Sequence, residues 1–180
     1  MLDYLSALFI RFFINPFSLK NSSEYRYLMN DSSTIILSCP AEEKNKDFGI
    51  PVNKFSELFK NKPVTILYPE LTVEGCKIET NHTINDYPKK INYNPLHLID
   101  SDNLKKLYNQ KCDVFIDLDP HVNVLNILLC RKLNPKVRIS FNKPGSSHFY
   151  NIRYNLNPEK SYSENRSNLY TFLRSMMNKK

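Results

Sequence analysis

The feature that most constrains the fold of this chain is an alternation between short apolar runs and longer segments with helical spacing. The clearest run is DVFIDL at residues 113–118, which is followed by Pro120. Nearly continuous apolar strands separated by helices predict a parallel sheet that is covered on both faces. The sequence therefore predicts an α/β fold, a Rossmann-like three-layer domain with a mostly parallel sheet.

The other elements follow from the same patterns, period two for strands and period 3.6 for helices. Predicted strands occupy residues 34–39, 63–68, 113–118, 137–141 and 150–156, the last at an edge, with short strands near 77–78 and 91–93. Predicted helices occupy residues 51–61, 101–110 with Ser101 as N-cap, 122–133 and 161–177. In the third of these helices Val122, Leu125, Leu128, Leu129 and Leu133 are expected to face the core. Residues 32–180 are thus expected to form one domain, preceded by a helix and a connector in residues 1–31.

Glycine and cysteine usage excludes several kinds of site. The 3 glycines, Gly49, Gly75 and Gly145, lie far apart, which excludes both the G-x-G-x-x-G fingerprint and the P-loop. We therefore expect no cofactor. None of the 4 cysteines forms a C-x-x-C pair or has a histidine at ligand spacing, so we predict reduced, buried thiols and no metal site.

Charge is concentrated towards the C-terminus. Residues 131–180 carry eleven basic and two acidic side chains, a net charge of +9, whereas residues 1–130 carry a net charge of −2. A basic end on a nearly neutral body favours an anionic partner, and a solvated surface is the alternative. Nucleic acid is the least favoured anion, because the aromatic residues of this region lack the context that base stacking needs.

The N-terminal segment, defined here as residues 2–17, is mostly apolar and carries only two charges. It is too short and interrupted to span a bilayer, and it lacks the basic start and cleavage site of a signal peptide. The helical spacing of its apolar residues predicts an amphipathic helix that ends at Asn15-Pro16. This helix would pack on its own domain, lie in a membrane interface or contact a partner chain. The contact residues would be Leu5, Phe9, Arg11, Phe12 and Phe13.

Residues 112–141 carry a resemblance to a known family. Their order is an apolar strand, Asp-Leu, a short loop, a helix and then Arg138-Ile139-Ser140-Phe141. This resembles the N-terminal half of the heptosyltransferases, glycosyltransferase family 9, where an Arg-Ile-Gly-Phe motif closes the same unit. The resemblance extends over residues 33–177 and implies one Rossmann-like half of a two-domain GT-B enzyme. It also implies that the family's donor-binding second domain has no counterpart in this sequence.

The resemblance directs attention to the carboxyl ends of the predicted strands, where ligands of such sheets bind. Sugar transfer needs a base for the acceptor hydroxyl and cations for the leaving diphosphate. The family's base lies in a Gly-Asp pair of the first loop, where this chain has Asp47 in a different order, and Glu43 and Asp119 are further candidate bases. The candidate ligand-binding residues are Asp119, His121, Lys143, Ser146 and Ser147. Asp117 is expected to accept hydrogen bonds from loop amides.

Three functions follow from these features. The first is a non-catalytic glycosyltransferase-like module that docks on a protein partner or a membrane surface. The second is an active acceptor-side subunit completed by a separate donor-binding chain, with Asp47 as base. The third is a binder of phosphoanions or nucleic acid through the basic C-terminal end. All three fit a protein at work in the cytoplasm, including the inner face of the membrane, in a complex or as an oligomer.

Overall fold

A computed structural model of the chain describes residues 33–40, 52–68, 82–86 and 108–178. The predictions for residues 1–31 and the short strands near 77–78 and 91–93 lie outside these ranges. So does the predicted helix at 101–110, apart from its last turn. Asp47 and Glu43 of the first loop also lie outside them.

Six strands form one sheet in which every neighbouring pair is parallel. Their order across the sheet is β3-β2-β1-β4-β5-β6. The bounds are β1 Ile35–Ser38, β2 Val64–Tyr68, β3 His82–Asp86, β4 Val114–Asp117, β5 Val137–Phe141 and β6 Ile152–Tyr154. The predicted parallel sheet is confirmed, as is the edge position of the late strand, although β6 is shorter than expected. Strand β3 was not predicted.

Helices cover both faces of the sheet. Their bounds are α1 Val52–Glu57, α2 Val124–Leu133 and α3 Tyr162–Met177, and a 3-10 turn occupies Ser146–His148. Helices α1 and α3 pack on one face, where the rings of Phe55 and Tyr170 meet edge to face with centroids 5.5 Å apart. Helix α2 packs on the opposite face, against Phe115 and Ile36. The Rossmann-like three-layer arrangement is therefore confirmed.

Local sequence explains where two of the helices begin or end. The Ser161 hydroxyl accepts a hydrogen bond from the Glu164 amide, and the Glu164 carboxylate accepts one from the Ser161 amide, a capping box that starts α3. Helix α2 stops at Asn134, which takes a left-handed φ of 47° and is followed by Pro135. Helix α3 buries Leu169 and Leu173, as its spacing predicted.

The buried face of α2 agrees with the prediction at Leu129 and otherwise differs from it, while the side chain of Leu125 lies outside the described part of the structure. It consists of Asn126, Ile127, Leu129 and Cys130, and Leu128, Leu133 and Val122 are only partly buried. A helix presents residues i, i+3 and i+4 on one face, so the face through 126, 127 and 130 is as regular as the predicted one. The polar Asn126 interrupts the apolar pattern of this face, so the sequence pattern favours the other face of the helix. Cys39, Cys112 and Cys130 are buried, as expected.

None of the helices in the described ranges is long and apolar enough to cross a bilayer.

Candidate functional site

The order of the strands places a crevice at the carboxyl ends of β1 and β4. From β1 the chain builds outwards through β2 and β3, and it then returns to build β4, β5 and β6 on the other side. Ligands of open parallel sheets bind at such a reversal of strand order. Ser38, Asp117 and Ser140 lie side by side there as the neighbouring residues of three strands.

Asp117 is the centre of this edge. Its side chain is completely buried, and its two oxygens accept four hydrogen bonds. Oδ1 accepts from the Asp119 amide at 2.9 Å and from the Asn126 side-chain amide at 2.8 Å. Oδ2 accepts from the Lys143 ammonium at 2.8 Å and from the Tyr150 hydroxyl at 2.5 Å. The expected bond to a loop amide is confirmed, and three further donors join it. The group formed by Asp117, Lys143, Tyr150 and Asn126 is called the Asp117 cluster below.

Lys143 supplies the positive charge of the Asp117 cluster. Besides the ion pair with Asp117, its Nζ donates to the carbonyl oxygens of Asp119, at 2.8 Å, and of His121, at 2.7 Å. An ammonium has three N–H groups, so each has an acceptor. The side chain is only 3% exposed. Lys143 thus ties the loop after β4 to the loop after β5, and its charge is directed into the fold.

Asn126 connects the cluster to β1. Its Oδ1 accepts a 2.7 Å hydrogen bond from the Ser38 hydroxyl while its amide donates to Asp117. Since Asn126 lies on the first turns of α2, this polar residue fixes the helix over the crevice between β1 and β4. A buried polar group that is left unpaired costs about 1–3 kcal/mol, which explains why serine, asparagine and aspartate occur together here.

Asp119 lies two residues after Asp117, in the loop that follows β4. Its Oδ1 accepts from the His121 amide at 2.9 Å, and its Oδ2 accepts from the Asn123 side-chain amide at 3.2 Å. Burial and the nearby carboxylate of Asp117 raise the pKa of Asp119 above its ordinary value, against the opposing effect of Lys143. A carboxyl group with a raised pKa at the edge where ligands bind is a candidate proton acceptor.

The segment from Lys143 to Tyr150 forms a tight turn. The Lys143 amide donates to the Ser146 hydroxyl, and the Ser146 amide donates to the Lys143 carbonyl. Gly145 has a φ of 74°, in the left-handed region where glycine is favoured. Because these two amides bond within the turn, they are not directed at an external anion. Ser146 is buried, whereas Ser147 and His121 are exposed.

A small pocket, partly open to solvent and with room for about one water molecule, lies beside this turn. Val122, Ile127 and Phe149 form apolar walls, and Lys143, Ser146 and Tyr150 also line it. The structure thus brings four of the predicted ligand-binding residues to one corner, where each contacts at least one of the others: Asp119, His121, Lys143 and Ser146. Their roles towards a ligand stay predictions.

Helix α3 is anchored to the same edge. The Tyr162 hydroxyl donates to the Leu118 carbonyl, and its ring meets that of Phe141 edge to face, with the ring centres 5.7 Å apart.

Within the described residues, no group of three or more His, Cys, Asp or Glu side chains is arranged to hold a metal ion.

Sequence reasoning missed Asn126, Tyr150 and Ser38 as members of this site. Tyr150 was interpreted as the first residue of a strand, and Ser38 as part of one. The available signal was the second face of α2 through Asn126, Ile127 and Cys130, because an asparagine buried there requires a polar partner at the neighbouring strand ends.

Comparison of the chain with protein-family models, with curated proteins and with solved structures finds no match.

Proposed function

We propose that this chain is a non-catalytic binding or assembly module, related to the N-terminal half of the heptosyltransferases, which docks on a protein partner or a membrane surface. The parallel sheet with strand order 3-2-1-4-5-6 is compatible with that half. The observation that carries the non-catalytic part is the full use of the polar groups in the Asp117 cluster.

Group transfer from a nucleotide-sugar needs a cation or a set of amides that can hold the leaving diphosphate. Lys143 is a buried cation at this edge, and its three acceptors, among them Asp117, already occupy it. Turning it towards a diphosphate would leave the Asp117 carboxylate buried beside three remaining donors. Removing one partner from a buried ion pair costs about 3–5 kcal/mol, so we assign Lys143 to the stability of the fold.

The pocket beside Lys143 is too small for a nucleotide-sugar. Its walls are apolar, through Val122, Ile127 and Phe149, and its polar groups belong to the turn that begins at Lys143. It has room for about one water molecule, which is far less than a nucleotide-sugar needs.

A turnover assay tests the proposal. The purified full chain is incubated with a panel of nucleotide-sugars, and release of the nucleotide is followed by chromatography. We expect no release above that from a heat-denatured sample. If the native chain releases nucleotide and the Asp47→Asn variant does not, the non-catalytic assignment is wrong. A pull-down from native membranes tests the docking part, and we expect it to recover a second protein in stoichiometric amount or the lipid itself.

A second candidate function, an active acceptor-side subunit, is favoured by Asp119. A general base works best when its pKa lies near the operating pH, and the pKa of Asp119 is displaced upwards towards it. This candidate predicts that the chain gains transfer activity only together with a donor-binding partner. It also predicts that Asp119→Asn abolishes that activity without weakening the complex, whereas Ser147→Ala, an exposed neighbour, leaves both unchanged.

A further inference from the structure

Four exposed cations lie at one corner of the domain, away from the Asp117 cluster. They are Lys111, before β4, Arg131 and Lys132, in the last turn of α2, and Lys136, before β5. Strands β4 and β5 are parallel neighbours, so their first residues share the amino edge of the sheet, opposite the candidate site. These four residues are called the basic corner below.

Several contacts hold the basic corner together. The Val137 amide donates to the Asp113 carbonyl at 3.0 Å, which brings the residues before β4 and β5 side by side. The Lys132 ammonium lies 5.8 Å from the centre of the Tyr108 ring. Tyr108 lies close to Lys111 in the chain, so this contact joins the end of α2 to the segment before β4. Four positive charges therefore project from adjacent segments of one edge.

Few acidic side chains offset the positive charge in the described segments of the basic corner. Residues 108–114 and 131–137 contain one acidic side chain, Asp113, which is largely buried. Its carboxylate accepts from the amide and the hydroxyl of Thr34, both at 3.0 Å, and pairs with Lys111 at 3.3 Å. Lys111 remains 70% exposed. The carboxylate thus offsets one of the four cations and leaves Arg131, Lys132 and Lys136 for a partner.

The chain enters the sheet at this same corner. Thr34 is paired to Asp113 in both directions, since the Asp113 amide also donates to the Thr34 carbonyl at 2.9 Å. Everything before residue 33 is therefore attached to the domain next to the basic corner. That portion includes the N-terminal segment, residues 2–17, with its aromatic and aliphatic side chains and only two charges.

We infer that the basic corner is a docking surface for a membrane that contains anionic phospholipids, to which the apolar N-terminal segment adds a second contact. This names the surface on which the module docks and therefore rests on the proposed function. One weak anchor gives only marginal binding, and an apolar contact combined with a basic patch gives stable attachment. The attachment would leave the Asp117 cluster and its pocket facing away from the bilayer.

One feature favours lipid over single-stranded nucleic acid as the polyanion. Single-stranded nucleic acid binds through aromatic rings on which bases stack, but the ring at this corner, Tyr108, is covered by Lys132. Favourable interaction with the helix dipole explains the placement of Arg131 and Lys132 in the last turn of α2. The ion pair with Asp113 explains Lys111. Neither explanation applies to Lys136, which lies outside any described helix, whereas a docking surface accounts for all four.

Vesicle flotation of the full chain tests the inference. Vesicles of phosphatidylcholine alone are compared with vesicles in which about a third of the lipid is phosphatidylserine. The test variant combines Arg131→Gln, Lys132→Gln and Lys136→Gln. The control variant combines Lys54→Gln, Arg153→Gln and Lys160→Gln, which removes the same charge from exposed positions outside the basic corner. Circular dichroism verifies that both variants are folded.

We expect the wild type to float with the anionic vesicles and to bind neutral ones far more weakly. Each cation near an anionic surface contributes about fivefold in affinity, so the test variant should lose about a hundredfold. The control variant should lose much less, and Phe9→Ser with Phe12→Ser should weaken flotation in the wild-type background. Equal losses in the two triple variants, or equal binding to both vesicle types, would overturn the inference.

Two further outcomes separate the explanations. If the test variant loses affinity for a DNA duplex but floats like the wild type, the corner is a nucleic-acid surface and the inference is wrong. Nucleotide-sugar turnover by the chain would overturn the non-catalytic function while leaving the flotation result intact. Failure of flotation with no turnover would remove the membrane and leave a protein partner.

Discussion

Replacing Lys143 with methionine is the perturbation whose effect follows most directly from the structure. The Nζ–Oδ2 distance to Asp117 is 2.8 Å, and the two side chains are 3% and 0% exposed. At an effective dielectric constant near 20, such a pair attracts by about 6 kcal/mol before desolvation is subtracted. Methionine fills a similar volume but leaves Asp117 charged and buried. We therefore expect Lys143→Met to lower the free energy of unfolding by about 3–5 kcal/mol.

Urea denaturation followed by circular dichroism measures this loss. With a slope of about 1–3 kcal/mol per M, the midpoint should fall by at least about 1 M. The matched control is Lys54→Met, which breaks an ion pair with Glu57 whose side chains are 55% and 58% exposed. That variant should change stability by less than about 1 kcal/mol. If Lys143→Met were as mild as Lys54→Met, the reasoning about the Asp117 cluster would be refuted.

Asp117→Asn combined with Lys143→Met gives a second readout. This pair of substitutions removes both charges together, so the double variant should lose less than the sum of the two single losses. Additive losses would mean that the two residues do not act as a pair.

Three other predictions concern pH, capping and thiols. Burial raises the pKa of Asp119, so the folded state binds its proton more tightly than the unfolded state does. As pH rises from the ordinary aspartate pKa of 3.8 through the raised pKa of Asp119, the wild type should therefore lose stability relative to Asp119→Asn. Unfolding curves of both proteins from pH 3 to pH 7 measure this difference. Ser161→Ala should cost about 1 kcal/mol, because it removes the hydroxyl that caps α3, while Ser175→Ala in the same helix should cost less, as thermal unfolding would show. Burial and the charge of Asp113 raise the pKa of Cys112 to about 12, so alkylation at pH 8 should label this thiol only after unfolding, and labelling of the native chain would contradict its burial.

The central strands could be predicted from sequence because burial on both faces leaves an unbroken apolar pattern. In β4 all four residues are buried, including Asp117, and the run remains recognisable since its only polar member is the last residue. Strand β3 could not be predicted in this way. Its sequence HTIND contains one aliphatic residue, Ile84, and its place at the sheet edge comes from pairing with β2. Strand propensity depends strongly on such tertiary context.

The candidate site was predictable only where it is local. The hydrogen bond from the Asp119 amide to Asp117 spans two residues and belongs to the turn that follows a strand. The partners that bury the charge, Lys143 and Tyr150, lie 26 and 33 residues further along the chain. Nothing in their local sequence distinguishes them from exposed turn residues. Only the packing of β5 beside β4 brings them to Asp117.

The most direct test of the central claim, that the polar groups at the carboxyl edge hold the fold together instead of acting on a substrate, is heteronuclear NMR of the lysine ammonium groups. Lys143, with three acceptors and a side chain only 3% exposed, should give a slowly exchanging signal, assigned by its loss in Lys143→Met. Exposed lysines such as Lys136 should exchange too fast to be seen at neutral pH. Addition of nucleotide-sugars should leave the Lys143 signal unchanged. A Lys143 signal that exchanges rapidly, or that shifts when a nucleotide-sugar is added, would contradict the account.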